Sequence, residues 1–380
     1  MAEGKIAIFG GTFNPVHTEH INIVKAAIKE LNLDKLIVMP TFISPHKSIA
    51  SASAEDRYNM LRLAFDGIEK ATVSDYEIKN GGKSYSYLTV EHFKKTTCGE
   101  LYFICGGDML VDFKTWKYPE RIVDACTLAV FDREDCFIDY EKEKKYFNDV
   151  FNKDFIKLSY QGKKDSSTKI RTYVSLGLDI SELTDKKVAE YILQKGLYAG
   201  DKYDEYVKNN LSQKRLKHTA GVVTTALSKA KELSLDSEKV RISATLHDCA
   251  KNIDYRSVKG FSIEKDVPQP VVHAFCGAYI AKNILKIDDE EIINAIRYHT
   301  SGRANMTTLE KLIFVADMIE EGRDYEGVDK LRKLFEMNFE ECFKECLKEE
   351  MIHLINKKTP PNEIYNQTIK AYKYYIEGNN

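Results

Sequence analysis

The chain has 380 residues, and its 56 basic and 58 acidic side chains give a formal net charge of -2 at pH 7. This length predicts two domains, and the small net charge argues against a general nucleic-acid or membrane-surface protein, which leaves small molecules as the expected partners. No apolar run reaches membrane-spanning length, no signal-peptide pattern is present, and the eight cysteines contain no CxxC pair, so we expect a cytosolic protein with free thiols.

Short apolar runs alternate with amphipathic helical patterns from Gly4 to about Tyr198. Predicted strands lie at Ile6–Phe9, Lys35–Met39, Leu101–Cys105 and Leu128–Phe131, and predicted helices at about His20–Leu31 and Glu55–Phe65. This alternation predicts an α/β doubly wound parallel sheet with helices on both faces. In such a sheet, ligands bind outside the carboxyl ends of the strands, where the strand order reverses.

The first predicted strand leads directly into a glycine-containing turn, Gly10-Gly11-Thr12-Phe13-Asn14-Pro15-Val16-His17-Thr18-Glu19-His20. Glycine lets the backbone approach a ligand closely. His17 and His20 lie three residues apart at the beginning of a helix, where unpaired N–H groups and the helix dipole attract phosphate. The turn lacks the spacing of a GxGxxG fingerprint, so it predicts another kind of nucleotide site. Structural or metal-binding histidines are the alternative.

Two further polar stretches also follow predicted strands, Pro45-His46-Lys47 and Gly106-Gly107-Asp108. We expect both to converge with the glycine turn in one crevice. Ser166–Arg171 opens another helix, with hydroxyls placed to cap it and Arg171 within one turn of its beginning. That position suits the terminal phosphates of a triphosphate, although an ordinary capped helix has the same pattern.

In this order, and together with Trp116 and the segment Val188–Tyr198, these stretches resemble the bacterial nicotinate mononucleotide adenylyltransferases. The resemblance covers almost all of the first half of the chain. It implies that AMP is transferred from ATP to the phosphate of nicotinate mononucleotide, with Mg2+, and that deamido-NAD and pyrophosphate are formed. Such a transfer needs positioning and charge neutralisation more than a protein nucleophile.

The resemblance also implies roles for individual residues. His17 and His20 hold the ATP phosphates and the transition state, Lys47 adds positive charge, and Arg171 holds the outer phosphates. The other predicted nucleotide and substrate contacts are Gly10, Gly11, Thr12, Phe13, Asp108, Trp116, Ser167 and Thr168. Trp116 alone is also a plausible core residue. The motif departs from the family pattern H-x-G-H at Glu19, where a side chain and a negative charge are expected to crowd the nucleotide.

A polar stretch, Ala199–Asp204, separates this half from long helical patterns without strand alternation. The change of pattern predicts an all-α second domain, with domains at residues 1–200 and 204–380. Five of the nine histidines lie in this half: His218, His247, His273, His299 and His353. Each one alone is more often a core or surface residue than a ligand. Ligands beside core positions of separate helices can nevertheless meet around a metal inside a bundle.

The set His218, His247-Asp248, His273, His299 and Asp317 resembles the HD-domain metal-dependent phosphohydrolases. Lys251, Tyr298-His299-Thr300 and Ala316-Asp317 make it most similar to the bacterial family that cleaves diadenosine tetraphosphate symmetrically. The resemblance implies a primary metal site at His218, His247, Asp248 and Asp317. It also implies a second site completed by His273 and His299, with Asp248 bridging.

Mixed histidine and carboxylate ligands suit iron or manganese, as one or two ions. The resemblance implies that the metal lowers the pKa of a bound water, which then attacks a phosphorus of the polyphosphate. Lys251 is a predicted catalytic residue beside Asp248. Lys251, Arg303 and Arg323 are also candidates for screening phosphate charge, with solvated surface cations as the alternative.

The sequence therefore predicts a bifunctional enzyme that binds ATP, nicotinate mononucleotide and a dinucleoside polyphosphate, and a homo-oligomer is left open. One alternative assigns another nucleotide phosphoester to the second half, such as a nucleoside monophosphate or a guanosine alarmone. Another makes one half a nucleotide-sensing module that binds without turnover.

Overall fold

The computed structural model describes residues 4–44, 51–133, 138–163, 166–263, 266–360 and 364–378. The chain divides into two compact units. Unit 1 comprises Met1–Arg171 and Asp179–Tyr198, and unit 2 comprises Thr172–Leu178 and Ala199–Asn380. The predicted domain bounds 1–200 and 204–380 remain predictions.

Unit 1 is built on a parallel six-stranded sheet in the order β3-β2-β1-β4-β5-β6. The strands are β1 Gly4–Gly11, β2 Lys35–Pro40, β3 Ala71–Val73, β4 Gly99–Gly106, β5 Thr127–Arg133 and β6 Ile156–Gly162. The predicted doubly wound α/β sheet is confirmed. The order reverses at β1, whose Phe9 pairs with Val38 of β2 on one side and Ile104 of β4 on the other. The carboxyl ends of β1 and β4 therefore flank the expected binding crevice.

Helices lie between the strands of unit 1 and after its last strand, and one of them continues into unit 2 at residues 172–175. They are α1 Thr18–Glu30, α2 Ala54–Phe65, α3 Tyr76–Asn80, α4 Ser86–Thr96, α5 Gly107–Val111, α6 Pro119–Ala125, α7 Tyr140–Phe151, α8 Ser167–Ser175 and α9 Lys186–Lys195, with a 3-10 turn at Phe113–Thr115. The central strands are apolar on both faces because helices cover both sides of the sheet. Ile8, Phe103 and Leu128 are accordingly buried in one hydrophobic core.

Unit 2 is helical, and the part of it that the structure describes contains no strand. Its helices are α10 Lys202–Asn210, α11 Gln213–Ala230, α12 Ser237–Leu246, α13 Val272–Asn283, α14 Glu290–Tyr298, α15 Thr308–Ile319, α16 Val328–Met337, α17 Phe339–Asn356 and α18 Asn366–Tyr372. Short 3-10 turns lie at Tyr255–Ser257 and Gln269–Val271, and a π-helical turn at Lys373–Glu377. The all-α prediction for this half is confirmed. Within the described ranges, no helix is both long enough and apolar enough to cross a membrane.

Candidate functional sites

The glycine turn and the beginning of α1 bring His17 and His20 together. The turn leaves β1 at Gly11, and His17 is the N-cap residue of α1. The two imidazole rings lie 3.6 Å apart between centroids, and the His17 backbone N–H donates to Nδ1 of His20 at 3.2 Å. In the neutral His20 ring the proton then lies on Nε2, so that nitrogen is a hydrogen-bond donor. This donor and the helix N-terminus favour an anion at this position.

The Ser166–Arg171 stretch docks onto the glycine turn. Ser167 Oγ donates to the carbonyl oxygen of Pro15 at 2.8 Å, and the Arg171 guanidinium donates to the carbonyl oxygen of Asn14 at 2.8 Å. Arg171 also donates to Thr168 Oγ1 at 3.0 Å. Two stretches that are about 150 residues apart in sequence therefore form one surface, as a shared nucleotide site requires.

Arg57 on α2 is a contributor to this site that the sequence analysis missed. Its side chain is 2% exposed, and its guanidinium donates to the carbonyl oxygens of Thr12 at 2.9 Å and Phe42 at 3.2 Å. Burial lowers the pKa values of Arg57 and Arg171, but both remain cationic near neutral pH because arginine is so basic. These buried positive charges beside the turn favour phosphate binding.

The remaining predicted residues of the first site are more dispersed. Gly106 ends β4, next to the end of β1, and Asp108 is exposed in the first turn of α5. Trp116 is 9% exposed and packs against Phe103 and Phe113 in the hydrophobic core, which fits the alternative role of a core residue. Lys47 lies outside the described residues.

Glu19, where the family pattern has glycine, is buried in the first turn of α1. One carboxylate oxygen accepts from Tyr160 Oη at 2.7 Å and from the Lys163 backbone N–H at 2.9 Å. The other accepts from Asn22 Nδ2 at 2.9 Å. Burial alone would raise the pKa of Glu19, but these three donors lower it below its ordinary value. Glu19 is therefore ionised at neutral pH.

In unit 2, six predicted ligands from five separate helices converge. They are His218 on α11, His247 and Asp248 at the end of α12, His273 on α13, His299 at the end of α14 and Asp317 on α15. They form three overlapping groups in which the potential ligand atoms lie within 4.8 Å of one another. Asp248 belongs to two of these groups, which is the arrangement that a bridging carboxylate would have.

The ring orientations of three histidines suit metal ligation. Nδ1 of His247 lies 2.7 Å from the carbonyl oxygen of Ala244, and Nδ1 of His299 lies 2.7 Å from that of Ile296. A carbonyl only accepts, so each Nδ1 must carry the proton and each Nε2 a lone pair. These Nε2 atoms point into the cluster, 3.3 Å from Nε2 of His218 and Nε2 of His273, respectively.

Glu320 orients the imidazole ring of His218, and the sequence pattern did not identify it. It is 3% exposed, and its Oε1 accepts from Nδ1 of His218 at 3.0 Å. Nε2 of His218 lies 3.1 Å from Asp317 Oδ1. An Nε2 lone pair and a carboxylate at this distance repel each other unless a proton or a cation lies with them. The donor set thus fits a divalent metal, with Glu320 as the outer carboxylate of a carboxylate–histidine–metal arrangement.

The charges of the cluster follow from this geometry. Burial opposes protonation of His218, but hydrogen bonds to Asp317 and Glu320 raise its pKa to about 9. Burial lowers the pKa of His247 to about 3. Burial would raise the pKa of Asp248, but the hydrogen bond from the imidazole of His273 holds it well below its ordinary value. Without a metal, the cluster therefore carries its proton on His218 and keeps Asp248 ionised.

Two of the three predicted cations, Lys251 and Arg323, contact residues of the cluster. Lys251 Nζ lies 3.0 Å from His273 Nε2 and 3.7 Å from Asp248 Oδ1, and Arg323 forms an ion pair with Asp317. Arg303 instead makes a two-pronged ion pair with the buried Glu310, with both contacts at 2.7 Å. Arg215, to which the sequence analysis gave no role, contacts Asp248 Oδ2 at 2.9 Å.

A cavity of about 320 Å³ opens beside the cluster. Lys251 and His273 line its inner side, and Tyr255 and Val272 are among its other walls. Gln269 adds an amide group. A cavity of this size with mostly apolar walls and a few polar groups is typical of small-molecule sites.

Comparison with known families assigns a family to each half. Residues 8–173 match the cytidylyltransferase-like family, and residues 215–322 match the HD domain. A probable nicotinate-nucleotide adenylyltransferase/Ap4A hydrolase of Mycoplasma genitalium is 31% identical over 350 residues, which cover 89% of this chain and 95% of the relative. A probable nicotinate-nucleotide adenylyltransferase of Clostridium tetani is 40% identical over 197 residues, which cover 51% of this chain and 98% of that protein.

Among the solved structures that are similar to part of the chain is a predicted HD-superfamily hydrolase from Clostridium acetobutylicum, described as involved in NAD metabolism. Its sequence is 34% identical, its TM-score is 0.43, and the match covers 47% of this chain and 97% of that chain.

Proposed function

We propose that this chain, which belongs to the family of nicotinate-nucleotide adenylyltransferases joined to an HD domain, catalyses two reactions at two separate sites. Unit 1 transfers AMP from ATP to nicotinate mononucleotide, and unit 2 hydrolyses dinucleoside polyphosphates such as diadenosine tetraphosphate to two ADP. The observation that carries the proposal is the similarity to the Mycoplasma genitalium protein along 95% of that protein's length. Its name includes both activities.

In the first reaction, a phosphate oxygen of nicotinate mononucleotide attacks the α-phosphorus of ATP. The bond from that phosphorus to the oxygen that leads to the β-phosphate breaks, and pyrophosphate leaves with the Mg2+ that accompanies ATP. Charge accumulates on the phosphate oxygens, so donors fixed in advance are the main requirement. His20 Nε2–H, the N-terminus of α1 and the guanidinium of Arg171 would supply these donors. The docking of Ser167 and Arg171 onto the glycine turn supports this role.

In the second reaction, a divalent metal, iron or manganese, would be held by His218, His247, Asp248 and Asp317, with His273 and His299 available for a second ion. A metal of this kind supplies an activated water and neutralises phosphate charge. The chain's own groups do the rest. The carbonyls of Ala244 and Ile296 and the carboxylate of Glu320 orient three imidazoles. Lys251 would donate to a phosphate oxygen, and the leaving ADP would take up a proton.

The cavity beside Lys251 supports a nucleotide substrate for unit 2. It adjoins His273 and Lys251, so a nucleoside bound there would place its phosphates near the cluster. The ring of Tyr255 offers a surface against which a base can stack, and Gln269 offers both a donor and an acceptor.

Assays of the purified full-length protein test both reactions. With ATP, nicotinate mononucleotide and Mg2+, we expect equal amounts of deamido-NAD and pyrophosphate. With diadenosine tetraphosphate and Mn2+ or Fe2+, we expect ADP as the only nucleotide product. Formation of AMP and ATP would refute the symmetrical cleavage, and release of product from a nucleoside monophosphate or a guanosine alarmone alone would assign unit 2 to another phosphoester.

A further inference from the structure

The carboxylate of Glu19 connects two stretches of unit 1 that are far apart in sequence. Glu19 lies in the first turn of α1, between His17 and His20. Its Oε2 accepts from Tyr160 on β6 and from the backbone N–H of Lys163, the residue that follows β6. Lys163 lies three residues before Ser166, where the second phosphate-binding stretch begins. One buried side chain therefore links the beginning of α1 to the segment that leads into α8.

We propose that Glu19 is a positioning residue for ATP: it holds the strand end at Lys163, and with it the Ser167–Arg171 stretch, against the beginning of α1. The inference rests on the proposed adenylyl transfer in unit 1. In this role Glu19 orients the outer-phosphate contacts and does not itself touch the nucleotide. The carboxylate that was expected to crowd the nucleotide is directed instead at β6.

The contacts of Glu19 are of the kind that determine position. All three are hydrogen bonds to an ionised, 4% exposed acceptor, and such charge-assisted bonds are stronger than neutral ones. Removing the acceptor would take away the hydrogen bonds from the Tyr160 hydroxyl and the Lys163 N–H, which lie in a part-buried setting, and hydrogen bonds to charged groups contribute more than neutral ones. The strand end would then be free to shift, and positions of phosphate contacts tolerate little displacement.

A second carboxylate on the same helix provides a matched comparison. Glu30, the last residue of α1, accepts from the Ser159 backbone N–H at 2.6 Å and from Ser159 Oγ at 2.9 Å. Glu30 thus makes a second carboxylate link between α1 and β6, and this link is exposed. It lies eleven residues further along α1, about 16 Å at the helical rise of 1.5 Å per residue. Glu30 therefore links α1 to β6 at a position that is remote from the proposed phosphate site, so its removal tests the packing of α1 on β6 alone.

The experiment compares the full-length variants Glu19→Ala, Glu19→Gln and Glu30→Ala. We measure the Kd of Mg-ATP by calorimetry, the KM values of ATP and nicotinate mononucleotide, and urea denaturation followed by Trp116 fluorescence as a check that unit 1 is folded. Glu19→Ala is expected to raise the Kd and KM of ATP by roughly ten-fold, the effect of losing about 1.4 kcal/mol of binding free energy. The KM of nicotinate mononucleotide should stay unchanged. Glu19→Gln, which keeps an acceptor oxygen, should restore most of the ATP affinity, and Glu30→Ala should match the wild type.

Two outcomes overturn the inference: ATP affinity in Glu19→Ala equal to or higher than in the wild type, or an equal loss in Glu30→Ala. If Glu19→Ala does not fold, Tyr160→Phe is the alternative, because it removes one of the three donors to Glu19 with little change of shape. An unchanged ATP Kd in that variant overturns the inference as well. A different result would refute the proposed function of unit 1: a wild-type protein that binds Mg-ATP but forms no deamido-NAD. The ATP Kd of the variants then still decides the role of Glu19.

Discussion

At the scale of single residues, Glu320 determines which nitrogen His218 offers to the cluster. Its carboxylate accepts from Nδ1–H of His218 at 3.0 Å, so Nε2 faces Asp317 and His247. We predict that Glu320→Ala weakens the binding of Mn2+ by roughly 10- to 100-fold, as the loss of an outer partner of a metal-ligating histidine generally does. The measurement is a titration of the metal-free protein with Mn2+, in which calorimetry gives the affinity and the rate of hydrolysis gives the recovered activity.

Glu320→Gln is the matched variant for this prediction. Its amide oxygen can still accept from Nδ1–H, so it should keep most of the Mn2+ affinity that Glu320→Ala loses. Equal Mn2+ affinity in Glu320→Ala and the wild type would show that the ring of His218 is held by its other neighbours.

Glu77 provides a pH-dependent prediction in unit 1. Burial raises its pKa above the ordinary value of 4.5, and hydrogen bonds to Thr89 and Ser84 only partly oppose the shift. The folded state therefore binds this proton more tightly than the unfolded state does. The free energy of unfolding should fall as the pH rises from below 4.5 through the raised pKa, and the loss is complete above it.

Glu77→Gln cannot titrate, so the difference between it and the wild type isolates this effect. We expect the substitution to be more favourable for stability at pH 7.5 than at pH 4. Urea denaturation followed by fluorescence of Trp116, the single tryptophan of the chain, measures the stability of unit 1. A difference between the two proteins that does not vary with pH would contradict the prediction.

The residues of the candidate sites differ in how far the sequence predicts them. The six predicted metal ligands of unit 2 follow from residue type and resemblance, since histidine and aspartate beside core positions are visible in a sequence. Glu320 and Arg57 are not, because each acts through contacts that only the fold creates. Arg57 resembles any other residue of an amphipathic helix, yet it is buried against the carbonyl oxygen of Thr12, 45 residues away.

At the scale of elements, the pairing of β1 with β4 depends on Gly99. Its φ is +114°, and a Cβ there would lie 2.1 Å from the carbonyl oxygen of Gly4 on β1. We predict that Gly99→Ala destabilises unit 1 by about 2 kcal/mol or more, because backbone strain and a main-chain clash act together. Urea denaturation followed by Trp116 fluorescence measures the change.

Gly67→Ala is the matched control for Gly99→Ala. Gly67 also has a positive φ, +77°, but a Cβ there meets no atom within 4 Å. The control isolates the backbone strain alone, which costs roughly 1 to 2 kcal/mol for an L-residue. A larger loss of stability in Gly67→Ala than in Gly99→Ala would contradict the assignment of the clash.

The four predicted strands of unit 1 were recognisable from their apolar runs. The predicted strands do not include β6, Ile156–Gly162, or β3, Ala71–Val73. β3 has only three residues and pairs with β2 through Leu36, Ile37 and Val38. Three residues carry too little periodicity to distinguish a strand from a loop. The position of β3 in the sheet is set by its pairing with β2, which is distant in sequence. A local sequence pattern does not contain that information.

At the scale of the whole molecule, the chain does not divide into two units at a single point. Thr172–Leu178 belongs to unit 2, while the later segment Asp179–Tyr198 belongs to unit 1. Leu176 and Leu178 are buried in the same hydrophobic cluster as Val207 and Leu216. A local sequence pattern does not indicate this exchange, because the boundary between the units falls inside one helix, α8.

This division determines how the independence of the two sites is best tested. A cut between residues 200 and 204 would remove Leu176 and Leu178 from the core of unit 2, so loss of activity in a fragment could reflect loss of packing. Substitutions in the full-length chain avoid this problem. We predict that His247→Ala lowers the hydrolysis of diadenosine tetraphosphate by at least roughly 100-fold, because it removes a predicted metal ligand, and leaves deamido-NAD synthesis unchanged. His20→Ala should do the reverse.

His247 is fully buried, so its removal also opens a cavity in unit 2. Asp317→Asn keeps the shape of a second predicted ligand while removing its charge, and it should give the same separation of activities. Two independent sites require that each substitution abolishes one reaction only. A folded variant, with wild-type thermal unfolding, that loses both reactions would refute the proposal of two independent sites.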